Sequence, residues 1–271
     1  MRLGINFAVQ SNAAITGGEI VAAMRAAERL GFDSLWFFDT VGRGSFIPDP
    51  LIQVSVAAAV TERIEVGTCI LQVPLRHPVE LAHRVLTAQL LTRGRLRLGV
   101  GAGSTRADFD AVERDYEGRF KAFTAALPLM QRLWRGETVN GANLTPPDAA
   151  KGGPPILIGS WAGSRWIPKA AQDYAGWIAS AVYTGAPTLK AGIDRFRAAG
   201  GKRAVVTNIG VDLTAPTTAL TDKGPYSLKC SPDEARARLR QLADFGFDDA
   251  VLVVEDMSED NLKAVRALWR G

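Results

Sequence analysis

Two short stretches rich in glycine and serine are the parts of this sequence best suited to binding a small ligand. The first, residues 159–165, reads Gly-Ser-Trp-Ala-Gly-Ser-Arg and joins a strand-like segment to a helix-like one. Small residues at a helix start expose backbone N–H groups at its positive end, which suits a phosphate or another anion. Ser180, at the end of the next strand-like segment, adds a hydroxyl. A polar turn that only caps the helix explains the same residues about as well.

The second stretch, residues 99–104, reads Gly-Val-Gly-Ala-Gly-Ser and follows a strand-like segment. Glycines at that point allow a flat ligand to approach the backbone. The stretch differs from the dinucleotide-binding fingerprint, because Ser104 takes the place of a glycine and the sequence predicts no helix directly after it. Packing alone also explains glycines at the end of a barrel strand.

Asp39 and His77 are the candidates for acid–base chemistry. Asp39 comes directly after the apolar segment 34–38, and His77 is one of only two histidines in the chain. The other, His83, lies on the helix predicted to begin at Pro78, next to His77, and is interpreted as a surface residue. Histidines and carboxylates are not clustered at the spacing of a metal site, so we predict no bound metal.

These candidates need a scaffold that brings several strand ends together. Residues 35–38 are apolar at every position, which is typical of a parallel strand covered on both faces. Eight strand-like segments alternate with eight helix-like ones, which predicts a (β/α)8 TIM barrel with its site at the C-terminal ends of the strands. A doubly wound sheet is the alternative, but residues 10–16 lack its glycine-rich turn. The predicted strands are 3–9, 34–38, 63–70, 96–100, 156–158, 177–180, 204–213 and 250–254.

One helix-to-strand joint occurs twice, far apart in the chain. Gly31-Phe-Asp and Gly246-Phe-Asp both follow a helix-like segment and precede an apolar one. The repeat fits a fold built from repeated αβ units, although a match of three residues also arises by chance. In a barrel these joints lie opposite the catalytic end, so we interpret them as stabilising features.

Composition narrows the class of protein. With 271 residues, of which 47% are apolar and 22% charged, the chain is predicted to be one globular domain, residues 1–271. The net charge of +4 is small and the arginines are dispersed, so no nucleic-acid partner is expected. No apolar run reaches the ~20 residues of a membrane helix, and the two cysteines, Cys69 and Cys230, predict no disulfide framework. We expect a cytoplasmic protein.

Several motifs, in order along the whole chain, resemble those of the bacterial luciferase-like family of flavin-dependent oxidoreductases. They are Gly31-Phe-Asp-Ser-Leu-Trp with Asp39, Arg63-Ile-x-Val-Gly-Thr, Pro74-x-x-x-Pro78, Gly94-Arg-Leu-x-Leu-Gly-Val-Gly-Ala-Gly, Pro154-Pro-Ile-x-Ile-Gly and Ala175-Gly-Trp. The resemblance implies a luciferase-like barrel that binds FMN or, in a large branch, the deazaflavin coenzyme F-420. It also implies a small-molecule substrate, a separate reductase that supplies reduced cofactor, and a homodimer.

The resemblance assigns roles by position. The cofactor ring is expected over the strand ends, near Asp39, with the residues around a non-proline cis peptide bond behind it. The phosphate is expected at the start of the helix after residue 159. The expected cofactor-binding residues are Phe7, Thr68, Cys69, Ile70, Gly101, Gly103, Ser104, Ser160, Ala162, Gly163, Ser164 and Ser180.

Two positions depart from the family pattern. Thr40 follows Asp39 where many members have histidine, and Ser104 stands where deazaflavin dehydrogenases often have glutamate. A sugar-phosphate dehydrogenase is therefore disfavoured. Three hypotheses stay open: a monooxygenase that uses reduced FMN and oxygen, a deazaflavin-dependent hydride-transfer enzyme, and a flavin-binding homologue without turnover. The chain has reduced insertion loops, and residues 41–48, 136–155 and 214–230 are the candidate lids.

Overall fold

The computed structural model describes residues 1–9, 14–182 and 184–269, in which strands and helices alternate along the chain. The strands are β1 Arg2–Phe7, β2 Ser34–Phe37, β3 Glu65–Thr68, β4 Leu71–Gln72, β5 Leu96–Gly101, β6 Ile156–Gly159, β7 Gly176–Ser180, β8 Ala204–Asp212, β9 Leu228–Lys229 and β10 Asp249–Val254. The helices are α1 Gly17–Arg29, α2 Pro50–Val60, α3 Pro78–Leu91, α4 Arg106–Asp110, α5 Arg119–Trp134, α6 Trp166–Asp173, α7 Ala186–Ala198, α8 Pro232–Phe245 and α9 Glu259–Arg266.

The fold is the (β/α)8 barrel that the sequence predicts. Its strands run parallel in hydrogen-bonded order from β1 through β2, β3, β5, β6, β7 and β8, and β10 pairs with both β8 and β1. The doubly wound alternative is wrong, because such a sheet has two free edges, whereas here the strand order that starts at β10 returns to it through the pairing of β8 with β10. Residues 10–13, part of the turn on which that alternative depended, lie outside the described residues.

The chain divides into two compact units. The first contains Met1–Trp36 and Ile156–Gly271, and the second contains Phe37–Pro155. In the first unit β10 lies between β1 and β8, and β7 lies between β6 and β8. In the second unit β3 and β4 both pair with β5. The prediction of one domain stays a prediction.

Both Gly-Phe-Asp joints lie in the first unit and have the same hydrogen-bond pattern. Gly31 and Gly246 adopt the left-handed conformation, with φ of +84° and +102°, which lets each helix end there. The Asp33 carboxylate then accepts the backbone N–H of Leu3 at 2.8 Å, and the Asp248 carboxylate accepts that of Ala204 at 2.6 Å. Each joint therefore ties its aspartate to the start of a neighbouring strand, which is a structural role.

The structure differs from the predicted elements mainly where elements are short. The predicted strand 63–70 is shorter in the structure, where β3 covers Glu65–Thr68, and the short strand β4, Leu71–Gln72, begins just beyond the predicted end. The five-residue helix α4 and the two-residue strand β9 were not predicted, because elements this short carry no periodic signal. Helix α5 has the predicted bounds, Arg119–Trp134. Among the described residues, none of the helices is long and apolar enough to span a membrane.

Candidate functional site

The turn between β6 and α6, in the first unit, presents donors to an anion. Within the described part of the chain, the backbone N–H groups of Ala162, Gly163 and Arg165 have no acceptor. They lie at the start of α6, where the helix dipole favours negative charge. The guanidinium of Arg195 lies beside the same turn, 3.4 Å from the carbonyl oxygens of Gly163 and Ser164, and adds a positive charge.

Three predicted serines of this unit have hydroxyl groups that already accept a hydrogen bond. The Ser160 Oγ accepts the indole N–H of Trp177 at 3.0 Å, and the Ser164 Oγ accepts the backbone N–H of Trp166 at 3.0 Å. The Ser180 Oγ accepts an amide N–H, described below. Each hydroxyl keeps its own hydrogen for donation, which is what a phosphate oxygen requires. The structure thus groups Ser160, Gly163 and Ser164 in one turn.

Asn208 is a residue of this region that the sequence did not identify. A shift in the pairing of β8 with β10 occurs at its position, and Asn208 has φ of +63°. Such a bulge redirects a side chain, and here the Asn208 amide donates to the Ser180 Oγ at 2.9 Å. The signal available in the sequence was an asparagine, which tolerates positive φ, within an otherwise apolar strand. Phe7 ends β1 and is buried, and it belongs to a different strand pair, with Val254.

The second unit holds the predicted ring-binding residues. The peptide bond between Cys69 and Ile70 is cis, as the resemblance implied, and Cys69 is buried. The Thr68 hydroxyl donates to the Gly99 carbonyl at 2.6 Å and so ties β3 to β5. Beyond β5, Gly103 has φ of +83°, and a Cβ there would lie 2.5 Å from the Gln72 Oε1. Glycine is therefore required at this position for conformation and for space. The other predicted residues here are Ile70, Gly101 and the exposed Ser104.

Asp39 forms a buried ion pair. Its carboxylate accepts two hydrogen bonds from the Arg76 guanidinium, at 2.6 and 2.9 Å, and one from the backbone N–H of Gln72 at 2.8 Å. Burial alone would lower the pKa of Arg76, but the hydrogen bonds and charge of Asp39, with Asp49 and Glu80, raise it above its ordinary value. An acid held this way is neutralised and oriented, which suits positioning better than proton transfer. Its catalytic role stays a prediction.

His77 caps a helix. Its Nδ1 accepts the backbone N–H of Val79 at 3.3 Å at the start of α3, and its side chain is exposed. That bond requires an unprotonated Nδ1, so a proton on this nitrogen would remove the cap. The catalytic assignment of His77 also stays a prediction. In the described part of the chain, no group of three or more histidine, cysteine and carboxylate side chains is placed to hold a metal.

Asp108 joins three segments of the second unit, although no motif pointed to it. It is fully buried in α4, and its Oδ1 accepts the backbone N–H groups of Val41 and Gly42, both at 3.1 Å. Its Oδ2 accepts two hydrogen bonds from Arg43, at 3.0 and 2.6 Å, and one from the Gln72 amide at 3.0 Å. Burial would raise the pKa of Asp108, but these bonds from Arg43, Gln72 and the backbone outweigh it and lower the pKa.

Asp108 is therefore expected to stabilise the fold in a pH-dependent way. Because the folded pKa lies below the unfolded value of about 3.9, the stabilisation is complete above that value and is lost as the pH falls through the folded pKa. We expect Asp108→Asn to lower the free energy of unfolding by about 2–4 kcal/mol at pH 7. Urea unfolding of both proteins should show the difference shrinking below about pH 4. A difference that is constant down to pH 3 would contradict this account.

Buried polar atoms without a partner lie in both units. In the first unit they are the Asn6 Oδ1 and the Thr207 Oγ1, and in the second they include the Thr40 Oγ1 and the Gln72 Oε1. The Gln72 orientation follows from chemistry, because its Nε2 faces two acceptors, the Asp39 carbonyl at 2.7 Å and the Asp108 carboxylate. Unsatisfied buried polar atoms are few in proteins, and a bound ligand or water is one explanation for them.

Comparison with known proteins gives a consistent picture. A family model described as luciferase-like monooxygenase matches residues 1–270. A curated relative, the F-420-dependent glucose-6-phosphate dehydrogenase of Beutenbergia cavernae, is 35% identical over 140 residues. That match covers 48% of this chain and 42% of the relative, so less than half of the relative's length is matched.

Two solved structures share the fold over nearly their whole length. An F-420-dependent secondary alcohol dehydrogenase has a TM-score of 0.79 at 17% identity, covering 99% of this chain and 98% of that one. The oxygenating constituent of 3,6-diketocamphane monooxygenase from Pseudomonas putida, solved with FMN, has a TM-score of 0.78 at 15% identity, covering 98% and 96%. Identities this low establish the fold and leave the cofactor and reaction open.

Proposed function

Because the chain belongs to the luciferase-like monooxygenase family, we propose that it is a flavin-dependent oxidoreductase that uses reduced FMN to oxygenate a small organic substrate. One observation carries this proposal: the turn before α6 combines free backbone N–H groups, donor hydroxyls and an arginine in a cradle for a phosphate. A flavin mononucleotide ends in such a group. In the same unit as this turn, the unpartnered buried atoms Asn6 Oδ1 and Thr207 Oγ1 also fit a ligand that carries polar groups.

The residues of this chain would bind and orient the cofactor. Gly163, Ser164 and Ser180, all in the first unit, would hold the phosphate. The bound coenzyme supplies the redox chemistry, namely the electrons for oxygen and the transfer of an oxygen atom to the substrate. The protein contributes a shielded pocket and a fixed geometry.

The scarcity of free acid–base groups favours oxygenation over alcohol oxidation. Hydride removal from an alcohol leaves a hydroxyl proton that a base must accept. Among the described residues, Asp39 is paired with Arg76, His77 caps α3, and Ser104 stands where a glutamate is common in the dehydrogenases. An oxygenase depends less on such a base, because oxygen chemistry belongs to the reduced cofactor.

A second candidate is deazaflavin-dependent hydride transfer. The observation in its favour is the 35% identity to the F-420-dependent glucose-6-phosphate dehydrogenase, in a region that covers about half of this chain. The deazaflavin coenzyme also carries a phosphate, so the cradle alone does not separate the two. A third candidate is a flavin-binding protein without turnover. We further propose that a separate reductase supplies the reduced cofactor and that the chain forms a homodimer.

Titration with the two coenzymes tests the proposal. We expect FMN to bind with a micromolar Kd, measured by quenching of flavin fluorescence and by a rise in Tm, and riboflavin to bind at least about tenfold more weakly because it lacks the phosphate. If only the deazaflavin coenzyme binds, the second candidate, deazaflavin-dependent hydride transfer, becomes the favoured function. Binding of neither coenzyme would refute the proposed function, and binding without oxygen consumption in the presence of a reductase would support the third candidate.

A further inference from the structure

The segment after β2, residues 41–48, exposes apolar side chains in a position where the fold does not use them. It follows the C-terminal end of a barrel strand, where barrel enzymes bind their substrates. Phe46 is 78% exposed and Val41 is 51% exposed. Single exposed apolar residues are common, but this segment carries two of them. Its first residue is hydrogen-bonded to Asp108, which also accepts a hydrogen bond from Gln72, the neighbour of Gly103.

One end of the segment is held by a buried carboxylate. Asp108 is fully buried and accepts hydrogen bonds from Val41, Gly42 and Arg43, as described above. The backbone of Gly42 lies so close to α4 that a Cβ there would be 2.3 Å from the Ala107 carbonyl oxygen. The first three residues of the segment are therefore fixed, and Arg43 ends the fixed part.

The other part of the segment begins with a glycine that adopts a backbone conformation rare for other residues. Gly44 has φ of +74°, and a Cβ there would meet no atom within 4 Å, so the space around its Cα on that side is open. The glycine separates the fixed residues from Phe46. A fixed end, a glycine joint and an exposed aromatic side chain are the parts of a hinged cover.

We propose that residues 41–48 close over a ligand bound in their own unit, beside Gln72 and Gly103, with Asp108 as the positioning residue that anchors them and Phe46 as the residue that contacts the substrate. The substrate is then a small molecule with a predominantly apolar part, because an aromatic side chain recognises apolar surface. This inference rests on the proposed function for the identity of the ligand.

Limited trypsin digestion tests the anchor without any ligand. Trypsin cleaves after Arg43, whose side chain is held by Asp108, and the Lys151–Gly152 bond, in an exposed turn of the same unit, is the matched control. We expect Asp108→Asn to speed cleavage after Arg43 at least tenfold and to leave cleavage after Lys151 unchanged. Gly42→Ala keeps the buried carboxylate but forces the segment away from Ala107, so it should have the same effect. Unchanged cleavage after Arg43 in both variants would overturn the anchor.

Alkylation tests the cover. Both native cysteines are buried, so a maleimide should react mainly with Phe46→Cys, and Ile52→Cys on α2, at an exposed position of the same unit, is the control. Saturating FMN, or the deazaflavin coenzyme if only that binds, should slow the reaction at position 46 at least tenfold and leave position 52 unchanged. An unchanged rate with the coenzyme bound would overturn the cover while leaving the proposed function intact. If neither coenzyme binds, both the proposed function and the cover are refuted, and the trypsin result then tests only the anchoring by Asp108.

Discussion

Replacing Arg76 by methionine is expected to lower the free energy of unfolding by about 3–5 kcal/mol, because it leaves the Asp39 carboxylate buried without its counter-ion. Both hydrogen bonds of the bidentate pair disappear, and only the bond from the Gln72 backbone remains. The side chains of Asp39 and Arg76 are only 2% and 13% exposed, so water solvates the unpaired carboxylate poorly. Urea unfolding at pH 7 of the wild type and the variant gives the value.

Arg84→Met is the matched control. Arg84 pairs with Asp49 at 3.0 Å and with Glu80 at 3.6 Å, and its side chain is one third exposed. Such a pair contributes about 0–1 kcal/mol. If the Arg76 variant is no less stable than the Arg84 variant, the buried pair is not the structural element that the geometry indicates.

The same pair bears on whether Asp39 is catalytic. A double-mutant cycle of Asp39→Asn and Arg76→Met isolates their coupling, since each single variant removes the shared interaction. If Asp39 only positions the loop after β4, then cofactor affinity should fall by the same factor in both single variants and fall little further in the double variant. If Asp39 touches the reacting atoms, then Asp39→Asn should lower kcat more than Arg76→Met does.

The fold was predictable because most of its strands and helices have a clear apolar pattern in the sequence. The strand core at 35–37 and the helix at 119–134 have strong patterns, and the structure places elements there. Short elements were missed, because β9 and α4 depend on neighbours that are distant in sequence. The end of β3 at Thr68 and the separate strand β4 were also missed, since Cys69, Ile70 and Leu71 form one apolar run across the break.

The candidate site was predictable only where it is local. The turn at 160–164 was identified as a candidate anion site from adjacent residues alone, since glycine and serine precede a helix start. Asp108 was not found because its partners come from two segments 36 and 67 residues away, and no local pattern marks such a hub. Likewise, Asp39 and Arg76 are 37 residues apart and meet only because the chain returns through β3 and β4. In the sequence alone, Asp39 therefore has no identifiable partner.

Placing a negative charge in the turn before α6 gives the second large effect. We expect Gly163→Asp to weaken FMN binding at least about a hundredfold, because two charges about 4 Å apart interact by roughly 4 kcal/mol at the effective dielectric of a protein surface. The new carboxylate would also compete for the free N–H groups at the start of the helix. The Kd is read from fluorescence quenching of FMN.

Gly163→Ala separates charge from backbone geometry. A Cβ at this position meets no atom within 4 Å, and Gly163 does not have positive φ, so alanine should fit without strain. We expect the alanine variant to bind FMN within about threefold of the wild type and to have the same Tm, which a local change of this size permits. Equal affinity of the aspartate variant and the wild type would show that the phosphate binds elsewhere. A weakened alanine variant would instead show that the phosphate approaches the glycine more closely than a methyl group allows, which places the anion directly on the Gly163 backbone.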